Sequence, residues 1–213
     1  MNLPNKLSIA RIVLIPVFVT LFFLPFNYMR FAALGVFIIA SLTDFLDGYI
    51  ARKYNMITKL GNFLDTIADK MLVVCALVLV VVSALIFWFP QGLIDISPVP
   101  HPIYTVYFIV TVACTMIIIC RELFISGLKM IAQTKGITVM ADKLGKYKMV
   151  LQIIALCILI PVADIYELNR VVGDYFIFIG TIILVLATIL TIISCVNYLI
   201  KYRNMFSEKE ENS

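Results

Sequence analysis

The sequence predicts an all-α, polytopic membrane protein of six transmembrane helices, and three observations carry that expectation. Hydrophobic residues make up 62% of the 213 and charged residues only 14%, a balance foreign to a soluble domain of this length. The mean hydropathy is +1.04. Six apolar runs, near 8–25, 30–53, 62–88, 103–128, 146–163 and 171–200, are each long enough to cross a hydrocarbon core about 30 Å thick.

Each run has a chemical reason to begin and end where it does. The first follows Lys6 and Arg11 and stops at Pro25 and Asn27; no small-residue cleavage site of the A-x-A kind follows it, so it reads as a retained helix rather than a signal peptide. The second runs into the polar turn from Lys53 to Lys59, and the third ends before the proline-rich segment from Pro90 to Pro102, which also carries His101. The fourth stops at the polar stretch from Thr134 to Asp142. The fifth is expected to end in a loop from Asp164 to Arg170, and the sixth gives way to a polar tail over 203–213, most polar from Glu208 to Ser213. No repeat, low-complexity tract or linker divides the chain, so residues 1–213 read as one membrane domain.

Threading six spans gathers Lys6, Arg11, Arg52, Lys53, Lys59, Lys70, Arg121, Lys129, Lys135, Lys143, Lys146, Lys148, Lys201, Arg203 and Lys209 towards one face, against Arg30 and Arg170 on the other. The positive-inside rule then puts both termini in the cytoplasm of a multi-pass cell-membrane protein. A net charge of +4 spread along one membrane face suits anionic headgroups or a phosphorylated substrate, and no nucleic-acid partner is expected. Trp88, Tyr28, Tyr104, Tyr198 and Tyr202 fall near span ends and read as an interfacial aromatic belt. Cys75, Cys114, Cys120, Cys157 and Cys195 stand singly in apolar runs without C-x-x-C spacing and read as small buried hydrophobes.

Against this apolar background the carboxylates stand out. Asp44, Asp47, Gly48 and Ala51 are spaced to share one face of the second span, and Gly61, Asp65 and Asp69 one face of the third. A short turn joins the two spans, so they should run antiparallel with four carboxylates converging near the cytoplasmic boundary. Like charges that close raise one another's pKa unless something compensates them. Oxygen-only ligation, with no His or Cys nearby, points to Mg2+, Mn2+ or Ca2+ and away from zinc. Four carboxylates suffice to bridge two such ions, an arrangement typical of phosphoryl chemistry. Gly48, Ala51 and Gly61 remove bulk beside the acids and suit close approach of a ligand, although small residues also serve helix packing in membranes.

Residues 44–69 resemble the signature of the CDP-alcohol phosphotransferases, D-x-x-D-G-x-x-A-R followed after eight residues by G-x-x-x-D-x-x-x-D. Asp44, Asp47, Gly48, Ala51, Arg52, Gly61, Asp65 and Asp69 match at every specified position. Three outer motifs look like those of the bacterial phosphatidylglycerophosphate synthases within that family: Pro4 to Ser8 with Arg11; Arg121 and Glu122 through Ser126, Gly127 and Leu128; and Lys143, Gly145 and Lys146 with Lys148 and Gln152. The resemblance runs from the N-terminus to the fifth span and leaves the sixth uninformative.

The resemblance implies a six-span homodimeric enzyme that displaces CMP from CDP-diacylglycerol with glycerol 3-phosphate as acceptor, using divalent metal ions at the cytoplasmic end of the bundle. By position it implies that Asp44, Asp47, Asp65 and Asp69 bind the metals and that Asp69 is also the general base. Asp44, Gly48, Ala51, Arg52, Gly61 and Asp65 would hold the CDP moiety. Arg52 also reads as an ordinary positive-inside anchor. For the acceptor phosphate, Arg121 is the first candidate for a bidentate grip and Lys135 the second. Lys59, Lys143, Lys146 and Lys148 follow, each of which also suits anionic lipid. Lys70 lies on a different helical face from Asp69 and reads as snorkelling or paired, and Glu122 reads as an orienting neighbour of Arg121.

Other acceptors fit the same signature: serine, inositol phosphate or phosphatidylglycerol. Surplus cations favour a phosphorylated one. A divalent-cation transporter would need a polar path to the outer face, yet Asp174 is the sole acid in the outer halves of spans four to six. A catalytically dead scaffold is disfavoured by the intact carboxylates.

Overall fold

The computed structural model describes the backbone of residues 3–26, 28–53, 59–88, 102–134 and 143–207, and the side chains of 9–26, 28–43, 67, 68, 70–86, 103–130 and 145–200. Described residues form seven helices: α1 (Leu3–Phe23), α2 (Met29–Lys53), α3 (Lys59–Trp88), α4 (Pro102–Thr134), α5 (Lys143–Leu159), α6 (Val162–Leu168) and α7 (Arg170–Ser207). All six expected spans are present as helices. Within them, Ile103–Met130, Gly145–Leu168 and Arg170–Ile200 are long and apolar enough to cross a membrane, and Ile9–Phe23, Met29–Thr43 and Lys70–Ile86 are shorter apolar stretches. The described residues are those of an all-helical membrane protein.

The fifth span departs from expectation. Instead of one helix and a loop from Asp164 to Arg170, the chain makes α5, a turn at Ile160 and Pro161, and the short α6. Pro161 lacks an N–H and so breaks the ladder, but its carbonyl still accepts from Ile165 at 3.0 Å, which restarts the helix. Asp164 sits in the first turn of α6, where a carboxylate is favoured by the helix dipole. The reversal into α7 takes a single residue: Asn169, in an extended conformation, accepts the N–H groups of Val171 and Val172 at 3.0 and 3.3 Å through Oδ1 and so caps α7. The last helix continues to Ser207, so the first residues of the polar tail are helical. His101, and the tail from 208, lie outside the described residues.

Packing follows the spacing of small and branched residues. Ile15, Phe18 and Phe22 on α1 meet Ala33, Phe37 and Ala40 on α2, with the Phe18 and Phe37 rings 5.8 Å apart. α3 adds Leu72, Ala76, Leu77 and Val80 and joins this layer to α4 and α5. On the other side α5 and α7 make the most extensive contact of any pair. A Cβ built on Gly180 would lie 2.6 Å from Leu159 Cδ2, so glycine there lets α7 come against α5. Hydrocarbon offers no hydrophobic drive between helices, so this close fit itself holds the bundle together. Val13, Ile39, Ile109 and Ile193 point outward, as suits lipid-facing positions.

Candidate active site

Backbone geometry places the motif residues on two helix ends. Asp44, Asp47, Gly48, Ala51 and Arg52 occupy the last turns of α2, and Lys59, Gly61, Asp65 and Asp69 the first turns of α3. Their side chains lie outside the described residues, as do the side chain of Lys143 at the head of α5 and the whole of Lys135. α1 and α2 run antiparallel, as the contacts of Phe18 with Phe37 and of Phe22 with Arg30 require. Counting in opposite directions from Phe18 and Phe37 brings Arg11, which is fully buried, level with Asp44. Among the described residues no group of His, Cys, Asp and Glu side chains gathers as a metal would need.

Beside them lies a cavity of about 450 Å³ between α3, α4, α5 and α7. Its wall begins at Lys70, the residue after Asp69, so its Cα is only about 3.8 Å from that of the last motif carboxylate. α4 contributes Ile118, Arg121, Glu122, Ile125, Ser126 and Lys129, one helical face in steps of three and four; α5 contributes Lys146, Lys148, Met149 and Gln152; α7 contributes Ser194 and Tyr198. Among the described residues that line it, Lys70, Arg121, Lys129, Lys146 and Lys148 stand with one acid, Glu122. A surplus of cations in a partly apolar cleft attracts a phosphorylated ligand.

Glu122 organises this surplus. It accepts from Arg121 Nη1 at 3.2 Å and from Lys148 Nζ, and its backbone carbonyl accepts from Ser126 Oγ. Lys70 Nζ donates in turn to Ser126 Oγ. Lys148 is almost fully buried, and a buried ammonium persists only where a partner of this kind compensates its desolvation. Arg121 extends its other branch across to α7, where Nη2 donates to Ser194 Oγ at 2.8 Å.

Of the expected acceptor residues, the structure brings Arg121, Lys146 and Lys148 to one cavity. It also brings Lys70 and Lys129, which sequence reasoning left out. Lys70 bonds to Ser126, in keeping with its paired reading, yet faces the cavity as well. Lys129 could have been found from its spacing, eight residues beyond Arg121 on the same face of α4. Tyr198 lines the cavity, and Tyr104 bonds to Asp174 Oδ1 at 3.1 Å. The sixth span, empty of signal in the sequence, supplies Ser194.

The chain is 36% identical over 200 residues to a protein of Rickettsia bellii, covering 92% of this chain and 93% of the relative. It is 37% identical over 171 residues to a protein of Bacillus subtilis, covering 75% and 76%, and 34% identical over 200 residues to one of Shigella flexneri, covering 93% of each. All three relatives are named CDP-diacylglycerol–glycerol-3-phosphate 3-phosphatidyltransferase. The family model described as CDP-alcohol phosphatidyltransferase matches residues 1–193. With the eight signature residues on α2 and α3 and a match over nine-tenths of its length, the chain belongs to the CDP-alcohol phosphatidyltransferase family.

Proposed function

We propose that the protein transfers the phosphatidyl group of CDP-diacylglycerol to glycerol 3-phosphate, giving phosphatidylglycerophosphate and CMP. The observation that carries the choice of acceptor is the cationic cavity that starts at Lys70, next to Asp69. A phosphate dianion would meet Arg121 as a planar fork and the lysines as point charges. Lys135, Lys59 and Lys143 are proposed to complete the grip from the adjoining turns.

The two helix ends divide the remaining work. Asp44, Asp47, Asp65 and Asp69 carry the oxygen donors that hard divalent cations prefer, and would hold two ions, Mg2+ or Mn2+, which when bound supply positive charge against the pyrophosphate and the departing CMP. Gly48, Ala51 and Gly61 leave room for the cytidine nucleotide, and Arg52, with Asp44 and Asp65, would fix it. Asp69 takes the proton from the glycerol hydroxyl as its oxygen attacks the phosphorus attached to diacylglycerol, and the bond to the CMP phosphate breaks.

We place this site at the cytoplasmic side, with both termini in the cytoplasm and the chain acting as a homodimer. The basic residues crowding one end of the span pattern, and the family resemblance, support that placement. The deciding assay supplies purified protein with CDP-diacylglycerol, Mg2+ and labelled glycerol 3-phosphate. Metal-dependent CMP release is expected, with a loss of at least about a thousandfold in Asp69→Asn, which removes the base and a metal ligand together. Full activity in that variant, or release with serine or inositol phosphate alone, overturns the proposal.

A further inference from the structure

α7 is the most apolar of the candidate spans, yet the side it turns to α4 and α5 carries buried hydroxyls at Thr188, Thr191 and Ser194. Thr188 and Thr191 donate to the carbonyls of Leu184 and Ala187 one turn back, at 2.8 and 2.7 Å, and Thr191 also receives Gln152 Nε2 at 3.4 Å. Such contacts are local to the bundle. Ser194 instead meets a charged group, its oxygen taking the Nη2 branch of Arg121 on α4 at 2.8 Å while sitting in the cavity wall at 2% exposure.

Arg121 is therefore held between two acceptors on two helices, Glu122 on α4 and Ser194 on α7. A guanidinium with one acceptor can swing about it; with acceptors on both terminal nitrogens its plane is fixed. Planar recognition of a phosphate depends on that orientation, and free rotamers must otherwise be ordered at the moment of binding. We propose that Ser194 is a positioning residue for the acceptor: it sets the guanidinium plane of Arg121 against the incoming phosphate and so makes the last helix part of acceptor recognition. The inference rests on the assignment of Arg121 to the acceptor phosphate. It adds a role for α7, which the motif pattern does not reach.

The test compares full-length wild type, Ser194→Ala and Ser194→Thr with Mg2+ present. Ser194→Ala is expected to raise KM for glycerol 3-phosphate by about tenfold, the worth of one hydrogen bond to a charged group, while KM for CDP-diacylglycerol shifts by less than about twofold. Ser194→Thr, which keeps the hydroxyl, is expected to restore most of the affinity. A parallel measurement follows phenylglyoxal modification of Arg121 by mass spectrometry without any acceptor, and expects faster reaction in Ser194→Ala than in wild type. Unchanged KM and unchanged Arg121 reactivity in Ser194→Ala overturn the inference, as does an equal rise in KM for both substrates, which would mark a merely structural role. A wild-type protein inactive with glycerol 3-phosphate overturns the acceptor assignment, and the reactivity of Arg121 then still decides whether Ser194 holds it.

Discussion

Arg121 is one residue on which charge, hydrogen bonding and packing converge. It is nearly buried, shares Glu122 with Lys148 and spans to Ser194, so its replacement removes a link between α4 and α7 together with the proposed phosphate partner. Arg121→Ala is expected to raise KM for glycerol 3-phosphate by about a hundredfold, about 2–3 kcal/mol of charge-assisted bonding, measured by CMP release at saturating CDP-diacylglycerol. Arg121→Lys should recover little, because an ammonium cannot reach two acceptors and a phosphate in one plane. At this scale the sequence was readable where chemistry is rare in apolar surroundings. Arg121 and the aspartates are conspicuous because a charge at bilayer depth is costly. Ser194 was not, because a hydroxyl in an apolar run can satisfy itself on the carbonyl one turn back, as Thr188 does, and leaves no trace of a partner.

Among the elements, the far end of the bundle is held by charge as well as by packing. Asp164 on α6 accepts from Arg30 twice, from Nη1 at 2.9 Å and from the backbone N–H at 3.1 Å, tying α6 to the start of α2. Asp164→Ala is expected to cost about 3 kcal/mol of stability, read as a fall in thermal midpoint in detergent, because it leaves the Arg30 guanidinium uncompensated in a partly buried place. The substrate KM values should barely move, since Ser83 beside this pair stands about 20 Å along α3 from Lys70. α6 also packs tightly on α7, where a Cβ on Gly173 would lie 2.8 Å from the Cα of Tyr166. Gly173→Ala therefore forces backbone apart and is expected to lower stability by about 1–3 kcal/mol in the same measurement. Hydropathy located the long helices but not α6, because a proline followed by polar residues reads as a loop unless their partners are known. Asp164 looked like loop chemistry; Arg30, distant in sequence, makes it core chemistry.

Across the whole molecule, the six apolar runs and the breaks between them match the helices of the bundle, and the concentration of cations at alternate breaks is the basis of the proposed orientation. The proposed orientation is checked by fusing a fluorescent protein and a periplasmic phosphatase in turn to each terminus. Fluorescence from both fusions and an inactive phosphatase at both ends are expected; phosphatase activity at either end contradicts cytoplasmic termini. How the helices pair was less legible than their number. The close approach of α5 and α7 depends on Gly180 meeting Leu159, a complementarity that hydropathy alone cannot distinguish from any other pair of apolar faces.

Asp69 and Lys70 are neighbours on α3, one assigned to proton removal and the other lining the cavity assigned to the phosphate. An α-helix separates consecutive residues by about 100° of rotation and 1.5 Å of rise, and allows no hinge between them. Under the proposed mechanism α3 then works as a ruler: the gap between acceptor hydroxyl and acceptor phosphate is gauged against a rigid spacing in the helix. Acceptors with the same charge but a longer carbon chain would then seat one end only, and discrimination by length would follow from the same turn that is proposed to carry the chemistry.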